Sequence, residues 1–394
     1  MKICIDIRCL AEGRRTGVEE YTRYLLDNLF SIDKKNEYVL FLNSWKKTKV
    51  NLSWLEKYPN VKVKKFSFPN KLLNLMFWYC GWPKIDHLVG GADAVFSPNI
   101  IFGNASAKTK SVITIHDLSF FRHSEYFSWK RKWWHIFINP KKICCSANKI
   151  ITVSNSTKND LISLYKIKPE KITVIPSAVA DNFRVIDRND GKLIKVKEKY
   201  NLPYKFILFF GTIEPRKNIV GLIRAFNLLQ AEQAETPGVL NFRHPVSKWA
   251  QYNLVIAGEK GWMNEEINDE IANSPFREKI QIINCVPDED KVYLYNLASL
   301  FVYPSFFEGF GFPPLEAMKC GVPVIVSNNS SLPEIVGDAG IIIDPDKPDE
   351  IFLAMKEILE NSKLRNILIA KGLEKSRKFD WKKTAKKTLK VLSI

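Results

Sequence analysis

Two carboxylates stand eight positions apart in Glu308-Gly309-Phe310-Gly311-Phe312-Pro313-Pro314-Leu315-Glu316. A second segment, Gly211-Thr212-Ile213-Glu214-Pro215-Arg216-Lys217-Asn218, sets two adjacent cations a few residues after a glycine. Glycines let backbone approach a ligand closely. Prolines open a helix where the missing amide hydrogen costs nothing. The amides of Phe310, Gly311 and Phe312 are therefore expected at a helix N-terminus, aimed at an anion that the helix dipole also favours. Arg216 offers a planar fork and Lys217 a mobile point charge, a pair suited to a diphosphate. Glu308 and Glu316 would flank that anion and accept hydrogen bonds from neutral hydroxyls. The ligand implied has a diphosphate in the middle and hydroxyl-rich groups on either side. Two competing readings stay open: a pair of solvated cations at a helix start, and a hydrolytic pair of carboxylates. The second has no use for an anion hole between its acids.

These residues need elements to hold them. Short apolar runs bounded by polar residues read as strands at Ile3–Ile7, Tyr38–Leu42, Ala94–Phe96, Ser111–Ile115, Lys149–Val153 and Ile172–Ile175. A helical face runs through Val18–Phe30, and Asn155-Ser156-Thr157 marks another helix start. After the polar stretch Arg184–Lys199, a second series of strands covers Phe206–Phe210, Asn253–Ala257, Ile280–Ile283, Leu300–Tyr303, Val324–Val326 and Gly340–Ile343. Helices Asn218–Leu229, Glu289–Ala298, Pro314–Lys319 and Asp349–Asn361 alternate with them, and Ala231–Gln251 reads as a long loop. Strand–helix alternation implies parallel sheets with helices on both faces. The chain of 394 residues suits two such α/β domains, with the ligand at the carboxyl ends of the strands.

The pattern of Glu308 and Glu316, joined to Glu214-Pro215-Arg216-Lys217-Asn218, resembles the group-1 (family 4) retaining glycosyltransferases of the GT-B fold. Thr16-Gly17-Val18, Ile115-His116-Asp117-Leu118, Thr152-Val153-Ser154 and Ser331-Leu332-Pro333-Glu334 agree with it, in the right order along nearly the whole chain. The resemblance implies two Rossmann-like domains facing each other across a cleft: 1–182 for the acceptor and 183–379 for the nucleotide-sugar donor. A last helix at 380–394 would cross back to the first domain. It implies that Arg216 and Lys217 neutralise the donor diphosphate beside Gly211, and that Gly17 adds its amide. It also gives Glu316 to the ribose, Glu308 to the transferred sugar, and His116 with Asp117 to the acceptor side. Glu214-Pro215-Arg216-Lys217-Asn218 together with Ser331-Leu332-Pro333-Glu334 is similar to the mannosyltransferase-like subgroup, which points to GDP-mannose over a UDP-sugar, and to a lipid-linked or polysaccharide glycan acceptor. Departures from the family pattern occur at Pro176-Ser177-Ala178 and His123-Ser124-Glu125.

Charge narrows the partners. Residues 1–180 hold 29 basic and 14 acidic residues, whereas 181–394 hold 30 and 28. The surplus is N-terminal and wants an anionic partner. Phe127–Phe137 interleaves aromatics with cations, and Leu72–Trp82 adds further aromatics in the basic half, which suits core packing or the interface of an anionic membrane; stacking on nucleobases is the third reading. No run of about 18 apolar residues suggests a membrane span, and the N-terminus reads as a first strand rather than a leader. Seven cysteines without metal-ligand spacing fit reduced thiols. The expected location is cytoplasmic, peripheral at the inner face of the plasma membrane, with no cofactor beyond the nucleotide-sugar substrate, no metal and no nucleic acid. A nucleotide-sugar epimerase of the same architecture and a basic nucleic-acid-binding protein are the competing functions. With cations in place of a metal, turnover is expected to persist in excess EDTA; complete loss of activity there would contradict it.

Overall fold

The computed structural model describes residues 1–12, 17–45, 50–232 and 248–393. The strands form two sheets. The first contains β1 (Lys2–Asp6), β2 (Glu37–Asn43), β3 (Val61–Phe66), β4 (Ala94–Ser97), β5 (Lys110–Ile115), β6 (Lys149–Thr152) and β7 (Ile172–Val174), in the order β3-β2-β1-β4-β5-β6-β7. The second contains β8 (Lys205–Phe210), β9 (Tyr252–Ala257), β10 (Ile280–Ile283), β11 (Leu300–Tyr303), β12 (Val324–Ser327) and β13 (Ile341–Ile343), in the order β10-β9-β8-β11-β12-β13. Every pairing is parallel. Parallel neighbours require crossovers, so helices cover both faces and the central strands read as unbroken apolar runs. All four residues of β11, Leu300 to Tyr303, are accordingly buried.

The chain divides into two compact units, Met1–Ala180 with Phe379–Ile394, and Asp181–Lys378. In each the strand order reverses once, between β1 and β4 and between β8 and β11. Ligands of open α/β sheets bind at such a point, outside the carboxyl ends of the strands. The first unit holds 34 basic and 15 acidic residues, a net of +19, and the second 25 and 27, a net of −2.

Several elements differ from expectation. Val61–Phe66 forms the edge strand β3, which its alternating lysines disguise as a basic loop; lysines on an edge strand discourage pairing with other chains. The polar stretch after Arg184 contains a helix, Gly191–Lys199, capped by Asp190 on the amide of Lys192 at 2.8 Å. The helix expected from Pro314 begins at Phe312 and runs to Lys319, with both prolines in its first turn. Most of the loop expected at 231–251 lies outside the described residues, as does Thr16.

The last helix, Trp381–Leu392, belongs to the first unit. It buries Trp381, Thr384, Ala385, Thr388, Val391 and Leu392, one face at helical spacing. Asp380 caps it through the amide of Lys383 at 2.8 Å, and Thr384 Oγ1 donates to the Pro176 carbonyl at 2.8 Å. Trp381 stacks on Tyr24 and meets Tyr21 edge-on, each at 5.8 Å between ring centroids, both on the helix Gly17–Ile32. Trp381→Ala should therefore cost about 3–5 kcal/mol, read as a lowered unfolding temperature. An unchanged temperature would show that this helix contributes little to holding the first unit.

Candidate donor-binding site

In the second unit the loops leaving β8 and β11, the two strands at the order reversal, carry most of the expected residues. Gly211 follows β8 directly, and Pro215–Lys217 make a single tight helical turn. Asn218 ends that turn in the left-handed region at φ 52° and caps the helix Ile219–Ala231, its Oδ1 accepting from the Gly221 amide at 3.1 Å. Asparagine suits both tasks, tolerating that conformation and offering a short acceptor. Gly258, after β9, lies so close that an added Cβ would stand 1.9 Å from the Gly211 carbonyl oxygen. Only glycine fits there, and it seats the β8 loop.

Neither cation is freely solvated: Lys217 is buried and Arg216 is partly buried. Lys217 is 6% exposed, and its ammonium donates to Tyr303 Oη at 2.7 Å and to the Glu308 carboxylate. Among the described residues its third proton has no partner. Arg216 Nη2 bonds Glu214 at 2.6 Å, Nη1 donates to the Phe307 carbonyl, and Nη1 stands 3.5 Å from Glu308. Glu308 also accepts from Ser305 Oγ at 2.7 Å. The backbone is sewn to match: the Phe306 amide donates to the Arg216 carbonyl at 2.9 Å. Two cations and two carboxylates thus form one largely buried, charge-balanced quartet.

Glu308, expected on a flank of the anion where it accepts from neutral hydroxyls, pairs directly with Lys217 in this structure. A buried ammonium must find an anion, and this carboxylate is within reach. Burial alone would raise the Glu308 carboxyl, but Lys217 and then Arg216 overcome it and hold the group at about 2. Burial, followed by the neighbouring Arg216, lowers the Lys217 ammonium. Held ionised by these cations, Glu308 accepts hydrogen bonds at neutral pH and does not serve as the acid of a hydrolytic pair.

The turn from Glu308 to Gly311 is held from behind. Ser331 Oγ, fully buried, reaches the carbonyls of Glu308 at 2.9 Å and Phe310 at 2.7 Å, and the Glu308 amide donates to Ser330 Oγ at 2.8 Å. Gly311, at φ 108°, starts the helix Phe312–Lys319, where a Cβ would sit 2.8 Å from Leu332. Phe310 and Phe312 meet edge-on at 5.1 Å. Glu316 lies one turn into the helix, 4% exposed, accepting from Tyr295 Oη at 2.7 Å. Tyr303, Ser305, Tyr295 and Gly258 complete this framework and carry no motif of their own. A strand ending in tyrosine and a serine three residues before Glu308 are too common to be informative.

In the first unit, His116 follows β5. Its Nε2 lies 2.9 Å from the Pro98 carbonyl, just beyond β4, and its ring meets Tyr21 edge-on at 4.7 Å. A carbonyl only accepts, so Nε2 carries the proton. Burial lowers the pKa of this imidazole, so it is neutral near pH 7. Asp117 Oδ1 accepts from Ser119 N at 2.9 Å and Ser119 Oγ at 2.6 Å, capping the turn Ser119–Arg122. Gly17 opens the helix Gly17–Ile32.

No group of three or more potential ligands for a metal occurs among the described residues. Two Asp-x-Asp strings do occur, and both are engaged otherwise. Asp290 is held by Lys199 at 2.6 Å and Tyr200 at 2.7 Å, and Asp344 caps the Asp346 amide at 3.0 Å.

Removing Glu308 strips a buried lysine of its anion. Glu308→Ala is expected to cost about 3–5 kcal/mol at pH 7. Because the folded-state pKa is depressed, the stabilisation is present above the ordinary value of 4.5 and is lost as pH falls toward about 2. The gap between variant and wild type in thermal unfolding should therefore narrow over that range. A gap independent of pH, or none, would contradict the pairing.

Comparisons with known proteins agree with this geometry. The profile of "Glycosyl transferases group 1" matches residues 191–375, and that of "Glycosyltransferase Family 4" matches residues 15–183. The chain is 35% identical to the Escherichia coli O-antigen chain mannosyltransferase B, over 72% of this chain and 70% of that protein. It is 34% identical to the E. coli serotype-specific mannosyltransferase WbdA over 70% of this chain, which spans 32% of that longer protein. Among solved structures, sucrose-phosphate synthase from Thermosynechococcus elongatus superposes with a TM-score of 0.72 at 17% identity, covering 99% of this chain and 98% of that one. Anabaena HepE in complex with UDP and glucose gives 0.71 at 16% identity, covering 100% and 99%. Two parallel sheets of matching strand order, a charged switch point and this relatedness lead to one conclusion: the chain belongs to the group-1, family 4 glycosyltransferases, has the GT-B fold, and is a glycosyltransferase.

Proposed function

We propose that this enzyme transfers mannose from GDP-mannose, with retention of configuration, to a growing lipid-linked surface polysaccharide at an anionic membrane face. The quartet at the β8/β11 switch point is the observation that carries the reading. A diphosphate entering beside Lys217 meets the remaining ammonium proton and the Arg216 guanidinium. Glu308, released in part from Lys217, is then free to accept from hydroxyls of the sugar. Glu316 takes the ribose hydroxyls, and His116 and Asp117 serve the acceptor. The donor is favoured by the names of the related E. coli mannosyltransferases.

In the step itself, the bond from the anomeric carbon to the diphosphate breaks as the acceptor oxygen bonds to that carbon on the same face. The acceptor's proton passes to a phosphate oxygen of the departing GDP. The protein's share is electrostatic: Arg216 and Lys217 meet charge that grows on the leaving group. An epimerase would need no acceptor, and nothing in the site favours it.

The test combines binding and turnover. GDP-mannose should raise the unfolding temperature more than UDP- or ADP-sugars, and mannose should appear on a polyprenyl-linked glycan by mass spectrometry. Arg216→Ala should slow turnover roughly 10²–10³-fold. A shift confined to UDP-sugars would reassign the donor, and a loss under about threefold would remove Arg216 from its role.

A further inference from the structure

Two helices of the first unit carry apolar residues on the side that should face water. Asn70–Tyr79 buries Leu73 and Phe77 in the core, yet Leu72, Leu75 and Tyr79, at i, i+3 and i+7, are 52%, 55% and 82% exposed. Trp129–Ile138 buries Ile138, while Trp129, Trp133 and Phe137 are 66%, 53% and 50% exposed. The helices touch through Trp78 and Phe137, edge-on at 5.9 Å, so their outer faces form one apolar surface. Trp82 continues it just beyond the first helix.

The surroundings are cationic. No acidic residue occurs between Glu56 and Asp86 or between Glu125 and Asp160, while those intervals hold six and seven lysines and arginines. Lys71, Lys130, Arg131, Lys141 and Lys142 are all exposed. Tryptophan and tyrosine beside lysine are suited to the boundary between lipid headgroups and acyl chains, and an anionic leaflet attracts each added cation. A second copy of this chain would bring the same positive surface against itself, and charge disfavours it.

We propose that these two helices form a docking platform for an anionic lipid bilayer. The proposal rests on the preceding reading only in supplying a reason for the platform, a lipid-linked acceptor. Its position fits that reason. His135 on the second helix stacks on Phe120 at 3.9 Å with the rings 4° from parallel, and Phe120 lies in the turn that Asp117 caps. The platform and the His116–Asp117 segment are thus in direct mechanical contact. Burial lowers the His135 pKa to about 4 and keeps the ring neutral.

The test uses the full-length protein and vesicles, with no donor or acceptor, so its outcome is independent of the sugar chemistry. Vesicles with 30% phosphatidylglycerol in phosphatidylcholine should bind it at least tenfold more tightly than pure phosphatidylcholine, less so in 0.5 M salt. Lys130→Glu/Lys141→Glu/Lys142→Glu should weaken binding roughly 10²-fold or more. Trp129→Ser/Trp133→Ser should weaken it about tenfold at an unchanged unfolding temperature. Brominated lipids should quench wild-type tryptophan fluorescence, a readout that needs no variant. Equal binding to both vesicle types, no quenching on bound vesicles, or a dimer in solution that Trp129→Ser/Trp133→Ser dissolves would each overturn the proposal.

Discussion

A lysine ammonium almost wholly withdrawn from water constrains the rest of the second unit. Taking Lys217 out of solvent costs several kcal/mol unless anions and hydrogen bonds replace the water. Glu308 and Tyr303 do so, with Ser305 bonding Glu308 in turn, and all three come from β11 and the loop after it, whereas the lysine follows β8. The loops after β8 and β11 must therefore keep a fixed register. The backbone bond from Phe306 to Arg216, the Ser331 bonds under the Glu308 turn and the tight seating of Gly258 under Gly211 are the means. The site is rigid because its charges would otherwise be stranded.

The first unit solves the same problem at its own switch point in the opposite sense. Asp6 and Arg8, leaving β1, form a buried pair at 2.5 Å, and the guanidinium lies about equally over Phe41 and Phe77, at 5.3 and 5.2 Å. That pair is closed on itself, with Arg8 also donating to the Phe102 carbonyl. Elsewhere in this unit the His116 ring meets Tyr21, and Tyr21 meets Trp381. Surplus positive charge belongs instead to this unit as a whole, the charge that the proposed docking to an anionic bilayer would use. One sheet order thus serves two electrostatic designs, one inward and balanced, the other outward and unbalanced.

Much of this was legible in the sequence. Period-2 and apolar runs locate most strands because parallel strands buried on both faces leave an unbroken apolar signal, as in Leu300–Tyr303. They miss β3, whose lysines obey the needs of an edge rather than a core. Gly311 and the paired prolines mark the helix start through backbone chemistry that a local segment reveals. The ion pairing of Glu308 with Lys217 is not legible, because 91 residues separate the partners and only the β8/β11 adjacency brings them together. The aromatic-basic segments show the reverse limit. Their composition is visible at once, but whether the rings are buried or exposed is decided by tertiary packing.

The central claim is that the quartet receives a diphosphate. Calorimetric titration of GDP against GMP tests it most directly, since the two differ only in the phosphate that should reach Arg216 and Lys217. Charge-assisted hydrogen bonds of this kind contribute about 1.5–3 kcal/mol, so GDP should bind roughly 10–100-fold more tightly than GMP, and Arg216→Ala should remove most of that difference. Equal affinities for GDP and GMP, or a preference that survives Arg216→Ala intact, would contradict it.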